Sequence, residues 1–142
     1  MFTRPNRFVN KVYLHCSASD HPHHDDVSVI DKWHKARGWN GIGYHYFIKK
    51  NGTLQQGRAL NRVPAAQAGH NRGSIAICLH GLSKCQFTAE QFATLQHLCM
   101  QINSAYAGGI TFHGHTEVSA KSCPVFDYKK VLRLNKKGDL GL

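Results

Sequence analysis

Acidic side chains are scarce in this chain. Its 142 residues hold 8 Asp and Glu against 18 Lys and Arg, a formal net charge of +10. Only Glu90 and Glu117 are glutamates. A glycoside hydrolase sets two carboxylates across one bond, and so few acids argue against that chemistry. Long apolar runs are also missing. None nears the ~20 residues of a membrane span, so no membrane insertion is expected. Met1-Phe2-Thr3-Arg4-Pro5-Asn6-Arg7 leads into no apolar stretch of the kind a secretory signal needs, and the expected first location is the cytosol. Repeats, linkers and low-complexity tracts are absent, so residues 1–142 read as one domain. No compact His-rich ββα-metal pattern with an Asn between histidines occurs. That argues against a small basic zinc nuclease and against a specific nucleic-acid partner.

What is present is a globular composition: 42% of the residues are hydrophobic and 10% are aromatic, enough for a packed core. The positive charge predicts attraction to a polyanion, which charge alone does not identify. The five cysteines, Cys16, Cys78, Cys85, Cys99 and Cys123, are an odd number. Without an export signal they read as reduced thiols, mostly small buried hydrophobes. Eleven histidines beside them suggest a transition metal, most often zinc. His21, His23 and His24 lie among Asp and Pro without fixed ligand spacing and read as a solvated loop.

Val12–Cys16 reads as a buried strand. Ser28 and Asp31 have capping-box spacing, and Val27, Ile30, Trp33 and His34 continue as a helix that Gly38 can end. Tyr44–Lys50 and Thr53–Gln56 flank Asn51-Gly52, a hairpin signal. Ser74–Leu79 reads as a central strand. Thr88 and Gln91 form a second capping box, followed by Phe92, Leu95, Leu98, Cys99, Ile102 and Tyr106 at helical spacing, with a stop at Gly108-Gly109. Ile110–His113 is a last strand, and a helical turn or two runs from about Asp127 to Leu134. The expected fold is mixed α/β: a single central mixed sheet with helices packed on its faces.

The densest chemistry lies in His113-Gly114-His115-Thr116-Glu117-Val118-Ser119-Ala120-Lys121-Ser122-Cys123-Pro124. A loop can bring His115 and Cys123 onto one metal. If residues 121–123 are extended, Lys121 points the same way as Cys123. Two neutral imidazoles and one thiolate leave zinc an open position, the pattern of a catalytic site. A nearby ammonium could stabilise an oxyanion. From the residues alone the third ligand stays open. His15, at the end of an apolar strand, is the best candidate but also reads as a core histidine. His113 competes as ligand or supporting partner, and spacing does not eliminate His45, His70 or His80. Tyr44 on its own reads as a packed strand aromatic.

Several segments occur together in one order: His15-Cys16-Ser17-Ala18, Trp33-His34-Lys35, Gly38-Trp39, Gly43-Tyr44-His45-Tyr46-Phe47-Ile48, Asn51-Gly52-Thr53, Gly57-Arg58, Gly69-His70-Asn71, Ser74-Ile75, and His115 through Cys123-Pro124. In this the chain, from about residue 13 to 127, resembles the type 2 N-acetylmuramoyl-L-alanine amidases. The match is to their small phage endolysin branch, with which animal peptidoglycan recognition proteins share a fold. The resemblance implies one Zn²⁺ held by His15, His115 and Cys123, with Tyr44 and Lys121 as accessory catalytic residues. It implies hydrolysis of the amide between N-acetylmuramic acid and L-alanine in peptidoglycan, with a muropeptide stem as substrate. It further implies a monomer acting in host lysis, made in the host cytosol and reaching the periplasmic wall through a holin-type permeabiliser. Some fold relatives are non-catalytic muropeptide-binding modules; retention of every zinc ligand argues against that role. Two departures stand out. Gln67-Ala68 occupies the place where many members carry His-Ala, which implies a lost substrate contact. Cys78 stands where many carry Glu.

Overall fold

The computed structural model describes residues 2–142. Five strands form one sheet: β1 (Lys11–Cys16), β2 (Tyr46–Ile48), β3 (Leu54–Gln56), β4 (Ser74–Leu79) and β5 (Thr111–Gly114), in the order β3-β2-β4-β1-β5. β1 pairs in parallel with both β4 and β5, and β2 in parallel with β4. Only β3, returned by the Asn51-Gly52 turn, is antiparallel, so the sheet is mixed as expected. Every residue of β4 and all but the first of β1 are buried. Central parallel strands covered on both faces have this apolar character.

The period of two divides the core. Val12, Leu14, Ile75, Ile77, Leu79 and Ile48 face α2 (Ala89–Ala105), which contributes Leu95, Leu98, Cys99 and Ile102. Phe47 and Cys78 face the other way and meet Ile30 of α1 (Val27–Ala36) with Ile42. That second cluster is the smaller. α1 covers only part of its face, and His15, on the same face at the end of β1, borders the uncovered part.

The helix ends follow from local chemistry. Thr88 caps α2: its hydroxyl accepts from Gln91 N–H, and the Gln91 side chain returns to Thr88 N–H. α1 differs from the expected Ser28–Asp31 box. Its cap is Asp26, whose carboxylate accepts from Ser28 N–H at 3.0 Å. Asp26 has the extended backbone a cap requires, whereas Ser28 is already helical. Asp31 instead accepts from Ile42 N–H at 2.8 Å, tying the loop after α1 back to the helix. Gly38 ends α1 with φ of +83°. The loop reaches Gly43, where a Cβ would stand 2.1 Å from the Ala65 carbonyl oxygen. Only glycine lets residues 65–66 pass so close to the start of the Tyr44 segment. A short helix, α3 (Tyr128–Val131), lies where the last helical turn was expected. Among the described residues no helix is long and apolar enough to cross a membrane.

Candidate metal centre and cleft

Parallel strands release their chains at one edge of a sheet, where α/β folds place their ligands. Here β1 ends at His15-Cys16. β5 ends at Gly114, and His115 opens the tight turn that follows it. Cys123 returns to the same point from a turn near the C-terminus. The candidate ligand atoms of His15, His115 and Cys123 all lie within 4.8 Å of one another. Cys123 Sγ is 3.8 Å from His15 Nδ1. With zinc–sulfur and zinc–nitrogen bonds of ordinary length, a tetrahedral site puts those two atoms about 3.6 Å apart. The donor set and its spacing therefore fit zinc, which His15, His115 and Cys123 would hold at the cleft they line.

The two imidazole donors are in the right protonation state. Burial, followed by the charges of His115 and Lys121, lowers the pKa of His15 to about 3. Burial and then Lys121 lower that of His115. Both are neutral at pH 7 with a lone pair to give. Cys123 Sγ accepts from Cys16 N–H at 3.1 Å, a bond that favours thiolate. The Cys16 thiol beside it and burial together hold the Cys123 thiol above its ordinary range, a cost that a divalent cation offsets. Cys16 is thus more than a buried hydrophobe: its backbone supports a ligand and its side chain lines the cleft. Cys85, also expected as core, is exposed.

His15 is fixed from behind. Its Nε2 lies 2.8 Å from Gln67 Oε1, and Gln67 is fully buried. Gln67 therefore does not stand in a substrate-contacting position as the sequence implied. The adjacent Ala65 and Ala66 line the cleft instead. The turn carrying His115 is secured through Glu117, whose carboxylate accepts from Gly114 N–H at 2.9 Å and from Tyr128 Oη at 2.6 Å. His113 Nδ1 meets the same carboxylate at 2.9 Å and its Nε2 meets Thr111 Oγ1 at 2.7 Å. His113 is thus a supporting partner of the turn and lies outside the ligand cluster.

The cleft has a volume of about 610 Å³. Trp33, Arg37, Trp39, Tyr44 and Lys121 are among its walls, and no Asp or Glu lines it among the described residues. Tyr44 packs its ring 5.1 Å from that of His15. Burial, then the thiols of Cys78, Cys123 and Cys16, push its phenol well above the ordinary range, so it holds its proton. Lys121 is exposed and reaches the cleft from a bend, not from the extended segment expected; its N–H donates to Ser119 Oγ at 3.2 Å. His34, read from sequence as a helix position and as part of the Trp33-His34-Lys35 segment with no role assigned, is buried in the same wall. Its Nδ1 accepts from Gly43 N–H at 2.8 Å, and burial followed by Arg37 and Arg58 lowers its pKa to about 4.

The other open histidines are elsewhere. His45 Nδ1 accepts from Ala76 N–H, and its Nε2 lies 2.8 Å from the Arg62 carbonyl. His80 spans Ser17 Oγ and the His21 carbonyl, and His70 is exposed. His21, His23 and His24 form a short turn outside the ligand cluster.

Comparison with known proteins identifies the family. The model of the N-acetylmuramoyl-L-alanine amidase family matches residues 5–126. The endolysin of Escherichia phage T7 is 35% identical over 125 residues, 84% of this chain and 82% of its own. Peptidoglycan-recognition protein SC1a of Drosophila melanogaster is 33% identical over 94 residues, 61% of this chain and 49% of its own. The N-acetylmuramoyl-L-alanine amidase LysC from Clostridium intestinale superposes with a TM-score of 0.80 at 29% identity, covering 90% of this chain and 85% of that one.

Proposed function

The chain belongs to the N-acetylmuramoyl-L-alanine amidase family, and from that premise we propose that it cleaves peptidoglycan between N-acetylmuramic acid and L-alanine with one zinc held by His15, His115 and Cys123. The observation that carries the proposal is the convergence of those three donors, within 4.8 Å, on a cleft that no Asp or Glu lines among the described residues. Zinc in such a site supplies Lewis-acid chemistry, polarising a carbonyl and bringing the pKa of water near 7. The protein's side chains do the rest. His15 and His115 give neutral nitrogens, and Cys123 gives sulfur supported by Cys16 N–H. Lys121 Nζ, at the open side, faces negative charge that develops on the scissile carbonyl oxygen. Tyr44 Oη holds a proton at neutral pH and orients the attacking water or the leaving nitrogen. Trp33 and Trp39 offer apolar walls that limit solvent. Arg37 and Lys121 suit a stem peptide with free carboxylates.

The whole chain acts as a single zinc amidase domain and a monomer. Its role is that of a phage endolysin, made in the host cytosol and given access to the periplasmic wall by a holin-type permeabiliser. The test is digestion of purified peptidoglycan, scoring new L-alanine amino groups beside new reducing sugar ends. Amines without reducing ends are expected. Reducing ends without amines would refute the amidase reading, and binding of muropeptides without amine release would make the chain a recognition module.

A further inference from the structure

We infer that Gln67 is a positioning residue that fixes which nitrogen of His15 faces the metal, an inference that rests on the zinc-site reading above. The evidence is the direction of a buried hydrogen-bond chain. Ser74, at the start of β4, has one hydroxyl proton, and it is directed at the Asn71 carbonyl 2.8 Å away. Ser74 Oγ can then only accept from Gln67, whose Nε2 lies 2.6 Å from it. The Gln67 Nε2 group also donates to the His70 carbonyl at 3.3 Å. Both contacts require the amide nitrogen on that side, which leaves Oε1 turned toward His15 Nε2 at 2.8 Å. An amide oxygen only accepts, so His15 carries its proton on Nε2. Its lone pair is left on Nδ1, the atom that faces Cys123 Sγ.

The loop is built to hold this amide in place. Asn71 Oδ1 accepts from both Ala66 N–H at 3.0 Å and Gln67 N–H at 2.9 Å, and His70 N–H donates to the Gln67 carbonyl at 2.8 Å. The Gln67 side chain is thereby turned away from the cleft and into the protein, while Ala65 and Ala66 remain on the cleft wall. A metal-binding imidazole whose other N–H has a fixed acceptor keeps its ring orientation and tautomer, and loss of such a partner typically weakens metal binding 10–100-fold. Gln67 is not among the residues that line the cleft, and its side-chain hydrogen bond to one of them is with His15.

The experiment compares the zinc affinity of the full chain, by competition with a chelator, for wild type, Gln67→Met and Gln67→Glu. Met fills a similar volume without an acceptor, and Glu restores one. Gln67→Met should bind zinc about 10–100-fold more weakly, and Gln67→Glu should recover most of the loss. Equal affinity for folded Gln67→Met and wild type overturns the inference. A second measurement needs no variant: nitrogen NMR of zinc-loaded wild type should show His15 bound through Nδ1 with a slowly exchanging Nε2 proton. Zinc on Nε2 overturns the inference even if Gln67→Met does not fold. Should wild type bind no zinc at all, the zinc-site reading itself fails, a result separate from either of these.

Discussion

At the scale of single residues, the ligand and the charge beside it make separable contributions. Cys123→Ser replaces a thiolate with a hydroxyl that stays protonated at neutral pH. Zinc affinity should fall by more than the roughly 100-fold typical of losing an outer partner, and amidase activity should fall with it. Full zinc occupancy at the wild-type rate would show the ligand assignment to be mistaken. Lys121→Ala should keep zinc bound and slow turnover by about 10²-fold, the size of effect seen when an oxyanion donor is removed. The residues alone left the third donor open and His15 entered through the family resemblance, whereas His115 and Cys123 were legible as candidate donors because they share one short segment. Gln67 was not, because its partner His15 lies 52 positions away and amides occur everywhere. The support that Cys16 gives Cys123 is a backbone contact across 107 positions and has no side-chain signature.

At the scale of elements, α1 carries Trp33 and His34, and the C-cap residue Arg37 that follows it, into the cleft wall, so its first turn matters to the site. Asp26 is the cap. Asp26→Ala should cost about 1 kcal/mol of stability, measurable as a lower denaturant midpoint. Ser28→Ala should cost less, because Ser28 N–H keeps its acceptor. If Ser28→Ala proved the more harmful change, the capping assignment would be reversed. The spacing of Ser28 and Asp31 misled because both residues are used: Ser28 is hydrogen-bonded to the true cap, and Asp31 holds the Ile42 loop. The Asn51-Gly52 hairpin and the Thr88–Gln91 box were readable because each depends only on neighbours within a few residues. The extended path expected for Lys121–Cys123 failed for the opposite reason, since the turn there is set by contacts with distant parts of the chain. One such contact is the bond from Cys16 N–H to Cys123 Sγ, at 3.1 Å.

At the scale of the whole molecule, two buried imidazoles outside the ligand set give stability a pH dependence. Burial, followed by arginine charges, lowers the pKa of His34 and His45 to about 4 each. In the unfolded chain they titrate near 6.5, so the unfolded state takes up protons first as pH falls. Their contribution is intact above about pH 6.5 and is lost as pH drops toward 4, at up to about 1.4 kcal/mol per pH unit for each. Urea midpoints measured across pH 4 to 7 should fall on the acid side, and a flat profile would contradict this. A net charge of +10 predicts attraction to an anionic wall, so the second-order rate on sacculi should decline as salt rises from 0.05 to about 0.15 M. The mixed sheet with helices on both faces was expected from alternating strand and helix patterns. The strand order β3-β2-β4-β1-β5 was not, because short buried runs such as Ser74–Leu79 carry no mark of which neighbour they pair with.

The most direct test follows amine release from purified sacculi while metal-depleted protein is titrated with zinc. The account predicts a rate near zero without metal, rising linearly and breaking sharply at one zinc per chain. A full rate in the depleted protein, or no break at that ratio, would contradict it.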